Sequence, residues 1–119
     1  MNWPRAFALV LATLVAAHAQ AHAFLDRAEP RVGATVQAAP AQLKLWFTQE
    51  IEPAFSTVKV IDSGGRRVDK SDAQVDPARR DLLRVSLGTL GTGDYTVVWR
   101  VVSTDSHVTE GDFVFHVGK

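Results

Sequence analysis

The 119-residue chain has no cysteine, one methionine and no surplus of charge of either sign. Without cysteine there are no disulfides, thiol nucleophiles, thiolate zinc sites or iron–sulfur clusters. Thirteen Lys and Arg balance thirteen Asp and Glu, so the chain carries neither the basic footprint of a nucleic-acid binder nor a polybasic membrane patch. Long apolar runs are also missing: the only one, at 6–17, is about a dozen residues, too short to cross a bilayer. Beyond it no segment shows a convincing helical period.

The run at 6–17 follows a short segment carrying Arg5 and precedes a string of small residues, the pattern of an export signal. Three cuts fit small-residue rules: after Ala19, after Ala21 or after Ala23. Only the middle one makes His22 the first residue of the mature protein. Removing 21 of the 119 residues leaves 98, one small domain at 22–119 with room for a single core. His18 leaves with the signal, and loss of Arg5 makes the remainder one unit negative. An exported domain of this composition is held together by packing alone.

From Phe24 onward, Pro and Gly recur at short intervals, separated by segments with period-two alternation. In 42–47, Leu43, Leu45 and Phe47 share a face opposite Lys44 and Trp46. Segment 56–62 places Val58 and Val60 together and ends in the turn residues Ser63-Gly64-Gly65. Leu83, Val85 and Leu87 line another strand. The longest spans 94–102, with Tyr95, Val97, Trp99 and Val101 on one face, and the last is 112–117, with Phe113, Phe115 and Val117. The expected fold is all-β: a Greek-key β-barrel or immunoglobulin-like sandwich of about seven short strands. Trp99 is expected in the core. Trp46 could cover an edge, pack under the amino terminus or mark a partner surface. The polar stretch 66–80 reads as a mobile surface loop without chemistry.

The residues with chemistry lie at the two ends of the mature domain. A cut after Ala21 gives His22 both a free α-amine and an imidazole, two nitrogen donors that chelate one metal ion. Between the last two strands lies Ser103-Thr104-Asp105-Ser106-His107, where an extended backbone would point Asp105 and His107 to one side. Two imidazoles, an amine and a carboxylate are donors that suit Cu(II), with Zn(II) as competitor, over softer Cu(I). His116, opposite the phenylalanines of its strand, is expected to be a solvated or edge residue.

These stretches carry a family resemblance: His22-Ala23-Phe24-Leu25, Glu29-Pro30, Gly33, Leu45-Trp46-Phe47-Thr48, the block from Gly93 to His107, and Gly111-Asp112-Phe113-Val114-Phe115-His116-Val117. Together they resemble the CopC-type periplasmic copper resistance proteins over nearly the whole mature chain. The resemblance implies a Greek-key barrel binding Cu(II), one per chain, through the amine and imidazole of His22, Asp105 and His107. Two features depart from the pattern. The methionine-rich segment of members with a Cu(I) site is absent, so no thioether Cu(I) site is expected. An acidic residue that supports the metal-bound amine in many relatives is replaced by Gln49, with Glu50 next to it.

The expected function is a non-catalytic periplasmic protein for copper sequestration, transport or resistance. Its expected partners are the copper ion and an inner-membrane copper transport protein, with no nucleic acid and no membrane span after processing, and the protein is expected to be a monomer. The alternative is a small copper oxidase or monooxygenase using the amino-terminal histidine chelate, and a third is a structural β-domain without metal.

Overall fold

In the computed structural model, which describes residues 22–118, the alternating segments form eight strands. These are β1 (Leu25–Glu29), β2 (Thr35–Val36), β3 (Gln42–Phe47), β4 (Thr57–Asp62), β5 (Gln74–Val75), β6 (Leu82–Ser86), β7 (Gly93–Val102) and β8 (Val108–Val117). They pair into two four-stranded sheets, β1-β3-β6-β5 and β2-β8-β7-β4, antiparallel except where β2 joins β8. The expected all-β fold is therefore present as a two-sheet sandwich. The proposed export signal at 1–21 lies outside the described residues, and no described helix is long and apolar enough to cross a membrane.

The period-two pattern sets which face is buried. Leu43, Leu45 and Phe47 of β3 meet Val97, Trp99 and Val101 of β7 and Phe113, Phe115 and Val117 of β8 in one continuous core. Phe115 is fully buried, and burial of a side chain this size contributes about 1.5–3 kcal/mol. Aromatic packing fixes the core further. Tyr95 stacks on Phe115 at 5.5 Å between ring centroids, and Trp99 meets Phe47 edge-on at 5.2 Å. The Tyr95 hydroxyl also donates to the Gly91 carbonyl at 2.7 Å, tying the entry of β7 to the preceding turn.

Two differences from the sequence expectation have local causes. Strand β8 begins at Val108 rather than Asp112, because its inward positions there are Thr109 and Gly111, too small or too polar to register as apolar alternation. Gly111 faces Trp99 across the ladder, where an added Cβ would lie 2.6 Å from the indole. The stretch 66–80 is not a featureless loop. It contributes β5, and the buried Asp69 carboxylate pairs with Arg67 and accepts from the Val60 and Ser71 amides. These contacts, with the Val68 amide donating to the Val60 carbonyl, cover the outer edge of β4 that would otherwise expose unpaired backbone. Finally, Trp46, whose place the sequence leaves open, is half-buried and has a charged cover. On the outer face of its sheet it lies beneath Arg27 of β1, with the guanidinium carbon 3.9 Å from the ring centroid.

Candidate metal-binding site

Strands β7 and β8 are joined at one end of the sandwich by a tight hairpin. The Ser106 amide donates to the Ser103 carbonyl and the Ser103 amide to the His107 carbonyl, each at 2.9 Å, with Ser106 in the left-handed region at φ 73°. A turn followed by one left-handed residue matches the twist of the flanking strands. The pairing of Asp105 with His107 differs in its cause from the one an extended backbone predicts. They converge because the chain turns between them, not because an extended strand places alternate residues on one side.

Within this turn His107 Nδ1 lies 3.1 Å from Asp105 Oδ1. The Ser103 hydroxyl, fully buried beneath them, contacts Asp105 Oδ1 and accepts the His107 amide at 3.2 Å. The Ser103 hydrogen bond, with help from His107, holds the Asp105 carboxyl below the usual carboxylate range against a smaller opposing effect of desolvation. Asp105 is therefore an anion in neutral solution. The contact of a carboxylate with Nδ1 also favours the tautomer that leaves the Nε2 lone pair of His107 free to bind a cation.

The amino-terminal segment reaches this hairpin from the other sheet. Phe24 donates its amide to Thr48 Oγ1 at 2.9 Å, and its carbonyl accepts the Thr48 amide at 2.8 Å. Thr48 Oγ1 lies 3.4 Å from the His22 carbonyl, and Thr109 Oγ1 donates to the Ala23 carbonyl at 2.6 Å. Ala23 is fully buried in the core. The His22 ring consequently lies beside His107, with centroids 4.7 Å apart and planes inclined at 61°, and Phe24 flanks it at 6.0 Å.

His22 Nδ1 is shielded from solvent and has no hydrogen-bond partner among the described residues. A buried, unpaired polar atom is costly unless a water or an ion satisfies it. The donors are neighbours in sequence of contact, His22 to His107 and His107 to Asp105. Among the described residues no three His, Asp or Glu side chains already converge as a metal cluster, and Asp105 is turned toward Ser103 and His107.

A protein-family model described as the CopC domain matches residues 25–118. The chain belongs to the CopC domain family. Among curated relatives, Protein YobA of Escherichia coli (strain K12) is 34% identical over 113 residues, covering 94% of this chain and 91% of that protein. Copper transport protein CutJ of Bacillus subtilis is 31% identical over 100 residues, but this chain spans only 18% of its length. The crystal structure of CopC from Methylosinus trichosporium OB3b superposes with a TM-score of 0.76 at 35% identity, covering 81% of this chain and 93% of that one. PcoC, a methionine-rich copper resistance protein from Escherichia coli, gives a TM-score of 0.69 at 29% identity, with coverage of 82% and 99%. The one methionine of this chain, Met1, lies outside the matched domain.

The family match begins three residues after His22, so the placement of that histidine rests on the contacts above. The remaining candidates of this CopC domain fall elsewhere. His116 pairs with Asp94 across the β7–β8 ladder, at the far end of β8 and roughly 30 Å along the strand from His107. Gln49 is half-buried and Glu50 exposed, both past the end of β3, where strand alternation no longer decides which side chain faces the site. Glu50 supports the hairpin through its carbonyl, which accepts the Thr104 amide at 3.3 Å. Sequence reasoning gave no role to Ser103, Thr48 or Thr109. Their only signal was small hydroxyl residues flanking the candidate donors.

Proposed function

We propose that this CopC domain is an exported copper-binding protein of the periplasm that holds one Cu(II) through the His22 amine and imidazole, His107 and Asp105. The observation that carries this reading is the buried Nδ1 of His22 beside His107, which has no hydrogen-bond partner among the described residues. In an amino-terminal histidine, the α-amine and Nδ1 close a six-membered chelate ring on one ion. The atom left without a partner is thus the one a chelate requires. Binding would draw Asp105 off its contact with His107, while Ser103 keeps the carboxylate ionised and oriented. Two nitrogen heterocycles, an amine and a carboxylate favour Cu(II) by donor type and by the stability order of divalent ions. Members of the relative set named for copper transport and copper resistance agree with that cargo.

The role is sequestration, transport or resistance by ligand exchange: a competing donor set displaces the ligands one at a time, with an inner-membrane copper transport protein as the receiving partner. A thioether Cu(I) site has no methionine to build on in the mature chain. Since amine and imidazoles bind only when deprotonated, affinity falls as pH drops.

Intact mass of the exported protein with and without Cu(II) tests cleavage and stoichiometry together. The expected result is a chain starting at His22 that takes up one copper ion. Protein retaining Ala21, or carrying His22→Ala, should lose tight binding. Undiminished binding by the Ala21-retaining form would overturn the proposal, and rapid peroxide formation with a reductant would favour an oxidase instead.

A further inference from the structure

We infer that Thr48 and Thr109 are positioning residues that hold the mature amino terminus in the geometry needed for chelation, an inference that rests on the copper reading above. Residues 22–24 precede β1, so the sheet ladder does not hold them. One backbone hydrogen bond, from the Thr48 amide to the Phe24 carbonyl at 2.8 Å, holds their last residue, and the rest of the hold comes from two side-chain hydroxyls on opposite sheets. Thr48, following β3, accepts the Phe24 amide at 2.9 Å and lies 3.4 Å from the His22 carbonyl. Thr109, on β8, donates to the Ala23 carbonyl at 2.6 Å. Ala23, fully buried in the core, is a third anchor.

Two consequences follow for metal binding. A free amino terminus loses conformational freedom when a chelate closes, and a terminus already ordered by the fold loses less. The clamp also restricts the choice of donors. A flexible histidine-led peptide can offer Cu(II) its own backbone amide nitrogens in place of side-chain ligands from elsewhere. Here both peptide units next to the terminus are held: Thr48 meets the His22 carbonyl of the first, and Thr48 and Thr109 hold the Phe24 amide and Ala23 carbonyl of the second, which restrains either from turning its nitrogen to the ion. The two threonines therefore keep the ion on the amine and Nδ1 of His22, facing His107, and away from the backbone.

The test uses processed protein starting at His22, with Thr109→Val and Thr48→Val, which keep shape and remove the hydroxyl, and the matching serine variants. Losing one positioning hydrogen bond should weaken Cu(II) binding about tenfold in a chelator competition. It should also shift the visible absorption and electron paramagnetic resonance parameters toward amide-nitrogen coordination. Thr109→Ser and Thr48→Ser should restore both. In metal-free protein, the valine variants should lose the ring-proton contact between His22 and His107 and exchange the Phe24 amide faster. Near-UV circular dichroism checks that the core is intact, and Thr48→Val, at an exposed position, carries the test if Thr109→Val compromises folding.

Unchanged affinity and spectra in both valine variants, or failure of serine to restore them, would overturn the inference while leaving the copper reading standing. If His22→Ala binds copper as tightly as wild type, the copper reading falls first. The metal-free measurements then decide whether the clamp orders the terminus at all.

Discussion

Replacing Gly111 by alanine should test how tightly the core beneath the candidate site is packed. Gly111 faces Trp99 in the β7–β8 ladder, and an added methyl would lie 2.6 Å from Cζ2, 3.0 Å from Cε2 and 3.3 Å from Nε1 of the indole. Carbon atoms settle about 3.5–4.0 Å apart, so methyl and ring must separate by roughly 1 Å. The ring has little room to retreat, being only 8% exposed and packed edge-on against Phe47 at 5.2 Å. Overpacking of this kind costs about 1–3 kcal/mol. For a domain of this size the midpoint of thermal unfolding should fall by roughly 5–20 °C, and the urea midpoint by about 1–2 M. In protein prepared to start at His22, which lacks Trp3, a Trp46→Phe background lets the fluorescence of Trp99 report alone. An unchanged midpoint, with near-UV circular dichroism identical to that of the parent, would refute the claim that glycine is required by the indole.

Asp69→Asn should destabilise the fold by about 2 kcal/mol, because the Val60 and Ser71 amides lose a charged acceptor while the half-exposed Arg67 stays hydrated. Burial alone would raise the Asp69 carboxyl, but Arg67 and the two amides together hold it below the usual carboxylate range. Its contribution is therefore complete above the unfolded value near pH 4 and lost as pH falls through the lower folded value. Urea unfolding at pH 6 and pH 3 should show wild type and variant converging in acid, and a constant gap would contradict this. His116→Gln should leave copper affinity unchanged and stability within about 0.5 kcal/mol, since it removes only a half-exposed contact with Asp94 at the far end of β8. Weakened copper binding in that variant would mean that His116 reaches the metal.

The parts of the structure legible in the sequence are those in which neighbours along the chain decide the outcome. Leu43, Leu45 and Phe47, or Tyr95, Val97 and Trp99, announce a buried face because alternation is local. Strand β1 was missed because Asp26, Arg27 and Glu29 break the apolar pattern on a sheet edge, and β2 and β5 are only two residues long. The pairing of Asp105 with His107 was found, though through the wrong geometry, since nothing in the residue types of 103–107 distinguishes a left-handed Ser106 from an extended one. Asp69 was passed over inside a polar stretch because its burial depends on Arg67 and on the distant Val60 amide. The proximity of His22 to His107 depends on Thr48 and Thr109, which lie 26 and 87 positions away from it in sequence. No local pattern encodes such a meeting.

That non-local meeting also determines how the site should respond to damage elsewhere. His22 enters from the sheet containing β1 and β3, whereas Asp105 and His107 belong to the hairpin of the other sheet, so the candidate donors lie across the open end of the sandwich. The seam there is stitched by Ile51 bridging Ser103, by the Thr104 amide on the Glu50 carbonyl, and by Thr109 on Ala23. A ligand bound only by the folded state adds stability, about 2.7 kcal/mol at a hundred times its dissociation constant. If copper bridges the seam, loosening the stitches should reduce both affinity and the copper-dependent gain in stability. Loosening the opposite end, at Asp94 and His116, should lower stability alone. The two ends of one sandwich thus provide each other's control, and a copper effect on melting that is insensitive to the seam would place the ion elsewhere.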